Sequence, residues 1–127
     1  MKLLILYGLI AACLVCLLAY FGMTQALGAH PWWAFDVALF GAVPGILLAV
    51  GLAYVTRFAL FFAAFDLALS GAIVWWGKRM FVVANGDNAL AGQMWFFGWI
   101  AVCACAVAVI ALLVQKIKSD AAQSPAN

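Results

Sequence analysis

Asp66 is the residue in this chain whose position most invites chemistry. It stands inside a long apolar stretch, with Ser70 one helical turn further on. An acid kept at mid-bilayer depth is costly, so it is expected to face protein or a hydrated cavity, where it serves an ion path or a polar contact between helices. Arg57 lies nine residues earlier, about 13 Å along a helix axis, too far to pair with Asp66 on the same helix. Proton or cation passage and an interhelical hydrogen bond, with Ser70 as a local partner, are both open readings. The hydrogen bond is the simpler.

The four cysteines come as Cys13-x-x-Cys16 and Cys103-x-Cys105. Thiolates bind soft metals such as copper(I), but Cys103 and Cys105 sit about 200° apart around a helix and cannot address one ion. Thiols buried in apolar surroundings behave as small hydrophobes, and a membrane oxidoreductase needs its Cys-x-x-Cys near water. Neither pair is assigned a metal or a redox role. The single His30 excludes a bis-His haem, and no Glu, zinc set, nucleophile–base pair or phosphate-binding glycine loop occurs. No cofactor, metal or catalytic residue is expected, and the chain is read as a non-enzyme.

These residues belong to a chain of 127 amino acids that is 71% hydrophobic and 8% charged. A soluble domain carries about 25% charged residues to coat its surface, so the protein works in or at a bilayer. Six basic and four acidic residues leave a charge of +2, too little to suggest a nucleic-acid partner. Apolar runs cover residues 3–23, 37–55, 58–76 and 94–114. As helices each spans about 30 Å, the thickness of the hydrocarbon layer. Continuous apolar runs exclude the alternation of barrel strands. The expected fold is an all-α bundle of four transmembrane helices over residues 1–114, followed by a short polar tail, 115–127. A lipoprotein-like box, Ile10-Ala11-Ala12-Cys13, lies in the first run, but Leu14 to Phe21 continues apolar where a mature lipoprotein turns polar. An uncleaved span is expected.

The connections carry their own signals. Residues 24–36 hold His30-Pro31-Trp32-Trp33; Pro31 breaks a helix, and paired Trp suit the headgroup layer. Asp36 stands where the N-cap of the second span belongs. Trp75, Trp76 and Trp95 are further interface anchors by the same reasoning. Thr56 and Arg57 alone separate spans two and three, and an unbroken helix would strand Arg57 in lipid, so a tight hairpin is expected there. Residues 77–93 read as a loop around Asn85-Gly86-Asp87-Asn88, with the apolar residues from Met80 to Ala84 on the membrane surface or in a short hairpin. Lys2, Arg57, Lys116 and Lys118 outnumber Lys78 and Arg79, which favours both termini in the cytoplasm, most simply at a bacterial inner membrane.

Small residues form stripes. Gly41, Gly45, Ala49 and Ala53 recur every four residues, as do Gly8, Ala12 and Cys16, and Ala64, Ala68 and Ala72. Helices in lipid associate where small side chains let backbones approach. Such faces pack the bundle, and one left over would receive another copy or a partner; the second-span stripe is expected to be an association surface. The resulting expectation is a small membrane subunit that packs through Gly/Ala faces into a larger complex or homo-oligomer, with lipid and membrane proteins as its partners. Its rivals are a small proton or cation transporter centred on Asp66 and a pore-forming or exclusion protein of a phage or plasmid. Small four-span multidrug exporters share the size, but they carry an essential Glu in the first span, and here that span is purely apolar.

Overall fold

A computed structural model describes residues 1–123. Its elements are helices: α1 (Lys2–Tyr20), the short α2 (Met23–Ala26), α3 (Asp36–Val55), α4 (Ala59–Val83) and α5 (Ala89–Gln123). Four of them are long and apolar enough to cross a membrane. The chain is a multi-pass membrane protein of all-α class, and the four long helices form its bundle.

The helices run alternately up and down, and α5 is central. It packs along α4, α3 and α1, while α1 also lies against α3. Among the described residues α1 and α4 do not touch, and α3 meets α4 only slightly. The sequence explains the centre. Ala104, Val107, Ala108, Ala111 and Leu112 are buried on α5, so small and branched residues surround it on most sides and neighbours approach from three directions. The other long helices bury one stripe each and turn large side chains such as Leu9, Phe40 and Phe65 outward. In a soluble protein those exposures would cost heavily; facing lipid tails they do not.

Glycines set the closest crossings. A Cβ on Gly41 would lie 2.8 Å from Cys103 Cβ and 2.9 Å from Ile100 O. On Gly77 it would lie 2.8 Å from the Trp95 backbone N, and on Gly98 2.8 Å from Val74 Cγ2. Helix backbones are therefore nearly in contact at α3–α5 and at α4–α5, which only a missing side chain permits.

The hairpin between the second and third spans is present. Thr56 is extended (φ −146°, ψ 142°), and its Oγ1 accepts the Phe58 N–H at 3.1 Å, closing the turn around Arg57. Three sequence expectations differ from the structure. First, most of residues 77–93 is helix: α4 runs on through Met80 to Val83, and α5 starts at Ala89. Gly77 looked like the start of a loop, yet it is the point where α4 seats on Ala91 and Trp95. The turn is confined to residues 84–88, with Asn85 and Gly86 at positive φ and the Asn88 side chain accepting the Ala91 N–H at 3.0 Å. Second, the fourth span does not end at residue 114: the polar residues from Gln115 to Gln123 continue α5. At 35 residues the helix is about 52 Å long and outreaches the bilayer. The Ser124-Pro125 end of the expected tail lies outside the described residues. Third, Asp36 is not the N-cap of α3. Phe35 occupies that position without a capping side chain, and Asp36 is the first helical residue, where its charge still complements the helix dipole.

Candidate functional site

Asp66, Ser70 and Cys105 form a polar patch halfway along the α4–α5 contact. The α4 stripe of Ala59, Ala63, Ser70, Val74 and Gly77 is buried, which places Ser70 on the seam and Asp66, one turn before it, half-buried at its edge. The Ser70 hydroxyl does bond to Asp66, but to its backbone: Oγ donates to the Asp66 carbonyl at 2.7 Å. This i to i−4 bond satisfies the hydroxyl within its own helix. Ser70 Oγ also lies 3.9 Å from Cys105 Sγ. The Asp66 carboxyl itself has no side-chain hydrogen-bond partner among the described residues. The backbone carbonyl, which is present whatever residue stands at 66, takes the bond that the sequence had suggested for the acid.

Cys103 and Cys105 are separated as their spacing requires. Cys103 lies beside Gly41 of α3, whereas Cys105 meets Ser70 of α4. Both are buried on opposite flanks of α5; Cys13 is exposed, and Cys16 is half-buried on α1. Among the described residues no three metal-ligating side chains gather at one point.

The second-span stripe is occupied from within. Gly41, Gly45 and Ala49 are buried, and the neighbours at Gly41 and Gly45 are Ile100, Cys103, Ala104 and Val107 of α5. Ala53 is half-buried near the α3–α4 turn. The stripe on α1 is likewise engaged, with Gly8 against Ile46. The third stripe is different: Ala64, Ala68 and Ala72 are all exposed. A Cβ on the adjacent Gly71 would meet nothing within 4 Å.

A second constellation joins the first connection to the α4–α5 end and was not legible in the sequence. The His30 ring stacks on Trp33 at 6.0 Å and meets Trp95 edge-on at 5.8 Å. Trp33 packs edge-on against Trp95 and Phe96, each at 5.3 Å. Trp95 Nε1–H donates to the Gly28 carbonyl at 3.2 Å, and Lys78 Nζ sits 5.8 Å from the Trp95 ring centroid. His30, Trp32, Trp33, Phe81, Gly92 and Trp95 line a cavity of about 200 Å³. Trp95 is thus no lipid-facing anchor. It is 8% exposed, because the 24–36 connection folds back over α5 and covers it. Trp32, at 89% exposed, together with Trp75 and Trp76, does project outward, and Arg79 lies over Trp75 at 5.4 Å, an arrangement suited to the headgroup layer.

The chain matches no protein-family model, no curated protein and no solved structure.

Proposed function

We propose that this protein is a small, non-enzymatic membrane subunit that associates, through the outer face of α4, with another membrane protein or with copies of itself. The observation that carries the proposal is the exposed stripe of Ala64, Ala68 and Ala72, on a helix that packs chiefly on α5. Small residues at this spacing let a second helix approach closely enough for van der Waals attraction, the main driving force between helices in lipid. The two stripes engaged within the chain demonstrate the same device at work. Ala68→Leu tests the proposal. It adds bulk where the chain itself has none nearby, so the monomer should fold normally, while overpacking of a partner interface costs about 1–3 kcal/mol. The mass of the complex in mild detergent should fall toward that of the monomer. An unchanged mass would remove the α4 face from consideration.

A transporter for protons or cations is the second reading, favoured by the mid-span Asp66 carboxyl, which has no side-chain hydrogen-bond partner among the described residues. The two readings part at Asp66 itself.

Orientation belongs to the same proposal. Lys2, Arg57, Lys116 and Lys118 lie at one end of the bundle, and Lys78 and Arg79 at the other. We place the four-residue end in the cytoplasm of a bacterial inner membrane. Reporter fusions after Asn127 and within the turn between Asn85 and Asn88 should fall on opposite sides, the first cytoplasmic. Signals from the same side would overturn the topology.

A further inference from the structure

The end of the bundle that carries the α3–α4 turn has a cleft of about 290 Å³ between that turn and the last turns of α5. Its upper wall is polar and basic: Arg57, Lys116, Gln115, Ser119 and Thr56. Ala53, Leu60 and Leu112, each about one helical turn further into its span, form the lower, apolar wall. We propose that this cleft binds the phosphate-bearing headgroup of an anionic membrane lipid, with the start of the acyl chains against the apolar wall.

The chemistry of the lining supports a phosphate. Arg57 and Lys116 supply two cations and Gln115 supplies amide donors, set against the single acid Asp120 on the rim, so positive charge is in excess. Arg57 is held beside the turn, its guanidinium 4.9 Å from the Phe58 ring centroid. Thr56 Oγ1 already accepts the Phe58 N–H, which leaves its hydroxyl hydrogen free to donate. A planar guanidinium and an ammonium in one cleft match a tetrahedral oxyanion. Basic pockets between the cytoplasmic ends of spanning helices are suited to anionic headgroups.

The position selects a lipid over a soluble phosphate. The cleft opens at the α3–α4 turn, where two spans end, which in a bilayer is the depth of the headgroups. Its wall changes from polar to apolar in the direction of the hydrocarbon, as a glycerophospholipid does along its own length. A free phosphate would use the upper wall only and leave Ala53, Leu60 and Leu112 wet.

Native mass spectrometry of the full chain, released from detergent with phosphatidylglycerol or phosphatidylcholine added, measures the preference directly. The wild-type protein should retain phosphatidylglycerol over phosphatidylcholine. Each basic residue near an anionic lipid surface is worth about fivefold in binding, so Arg57→Gln with Lys116→Gln should lower phosphatidylglycerol retention by about tenfold or more. Asp120→Asn should raise it. Lys78→Gln with Arg79→Gln, at the other end, should leave it unchanged. Adding salt to the wild-type protein should weaken retention without any substitution, which keeps the test decisive if a variant fails to fold. Retention that is the same in Arg57→Gln/Lys116→Gln as in wild type, or that falls equally in the Lys78/Arg79 variant, would overturn the site. Displacement of the lipid by inorganic phosphate alone would also overturn it, by showing that the apolar wall contributes nothing.

Discussion

Gly45→Leu should unfold the α3–α5 contact and with it much of the bundle. A Cβ at this position would lie 2.6 Å from the Ala104 carbonyl oxygen and 2.7 Å from Val107 Cβ. The first of these atoms is helix backbone, so it cannot rotate aside as a side-chain tip would. The helices must separate along their length, and the burial of Ala49, Val37 and Val107, each with no exposed surface, is lost in part. Overpacking in a well-packed core costs about 1–3 kcal/mol, and a backbone collision with three further heavy atoms of a leucine behind it should reach or exceed the top of that range. Thermal unfolding in detergent, followed by tryptophan fluorescence, reads the effect as a lower midpoint or the absence of a cooperative transition. Gly51→Leu is the matched control. The same side chain added to the same helix would find nothing within 4 Å of its Cβ, and removing a helix glycine should be neutral or stabilise by about 0.5–1 kcal/mol. Equal midpoints for the two variants would mean that α5 does not sit in the Gly41–Gly45 groove.

That result also bears on how association is to be tested. Small-residue spacing says that a helix face can be approached closely; it does not say by which helix. Gly41 and Gly45 carry the same signal as Ala68 and Ala72, and only the placement of α5 distinguishes a groove that is filled from one that is open. Loss of assembly in Gly45→Leu would therefore report a broken fold, and the Ala68→Leu variant is the informative one.

The spans themselves were legible because lipid imposes a simple rule: a helix must satisfy its own backbone and show apolar side chains for about 20 residues. The α3–α4 hairpin was legible for a related reason, since Arg57 has nowhere to sit except at the surface. What the sequence hid were features set by tertiary contact. Gly77, Lys78 and Arg79 resemble the start of a loop by composition, yet α4 continues because α5 lies against Gly77 and because Lys78 and Arg79 have the Trp95 and Trp75 rings to cover. Trp95 resembles Trp32 as a candidate anchor. The difference between them is the 24–36 connection, pinned by a bond from Thr24 Oγ1 to the Ala34 carbonyl at 2.5 Å and folded back so that Gly28 meets the Trp95 indole. No periodicity encodes that return. The basic cleft was hidden for the same reason, since Arg57 and Lys116 are 59 positions apart and α5 brings them together only by running past the end of the bilayer.

At Asp66 the expected outcome is that Asn leaves assembly unchanged, while Leu weakens it where a helix donates to the carboxyl. The carboxyl makes no side-chain hydrogen bond within the chain among the described residues, and Ser70 is satisfied by the Asp66 backbone carbonyl. Neither substitution removes an internal bond. On insertion energetics alone Leu should be the better residue, because an aspartate at the centre of a spanning helix costs about 3 kcal/mol and a leucine costs nothing. The monomer of Asp66→Leu should then fold at least as well as wild type, as judged by its unfolding midpoint. Any loss must come from what Asp66 does outside the monomer. Asp66 lies about 200° around α4 from Ala64 and Ala68, so a helix that donates to it sits at the edge of the α4–α5 seam and not on the alanine stripe. Leu would leave that donor buried and unsatisfied at about 1–3 kcal/mol, and the complex should dissociate at concentrations where wild type holds together. Asn keeps an acceptor of the same shape and should preserve the complex. A proton or cation path behaves in the opposite way: Asn cannot release a proton, so flux into proteoliposomes would vanish in Asp66→Asn while the mass of the complex stayed the same. Mass and flux measured on the same two variants therefore separate the subunit from the transporter. A Leu variant that matches wild type in both would show that the carboxyl is a tolerated defect at the edge of the α4–α5 seam, held in place by the other contacts of α4.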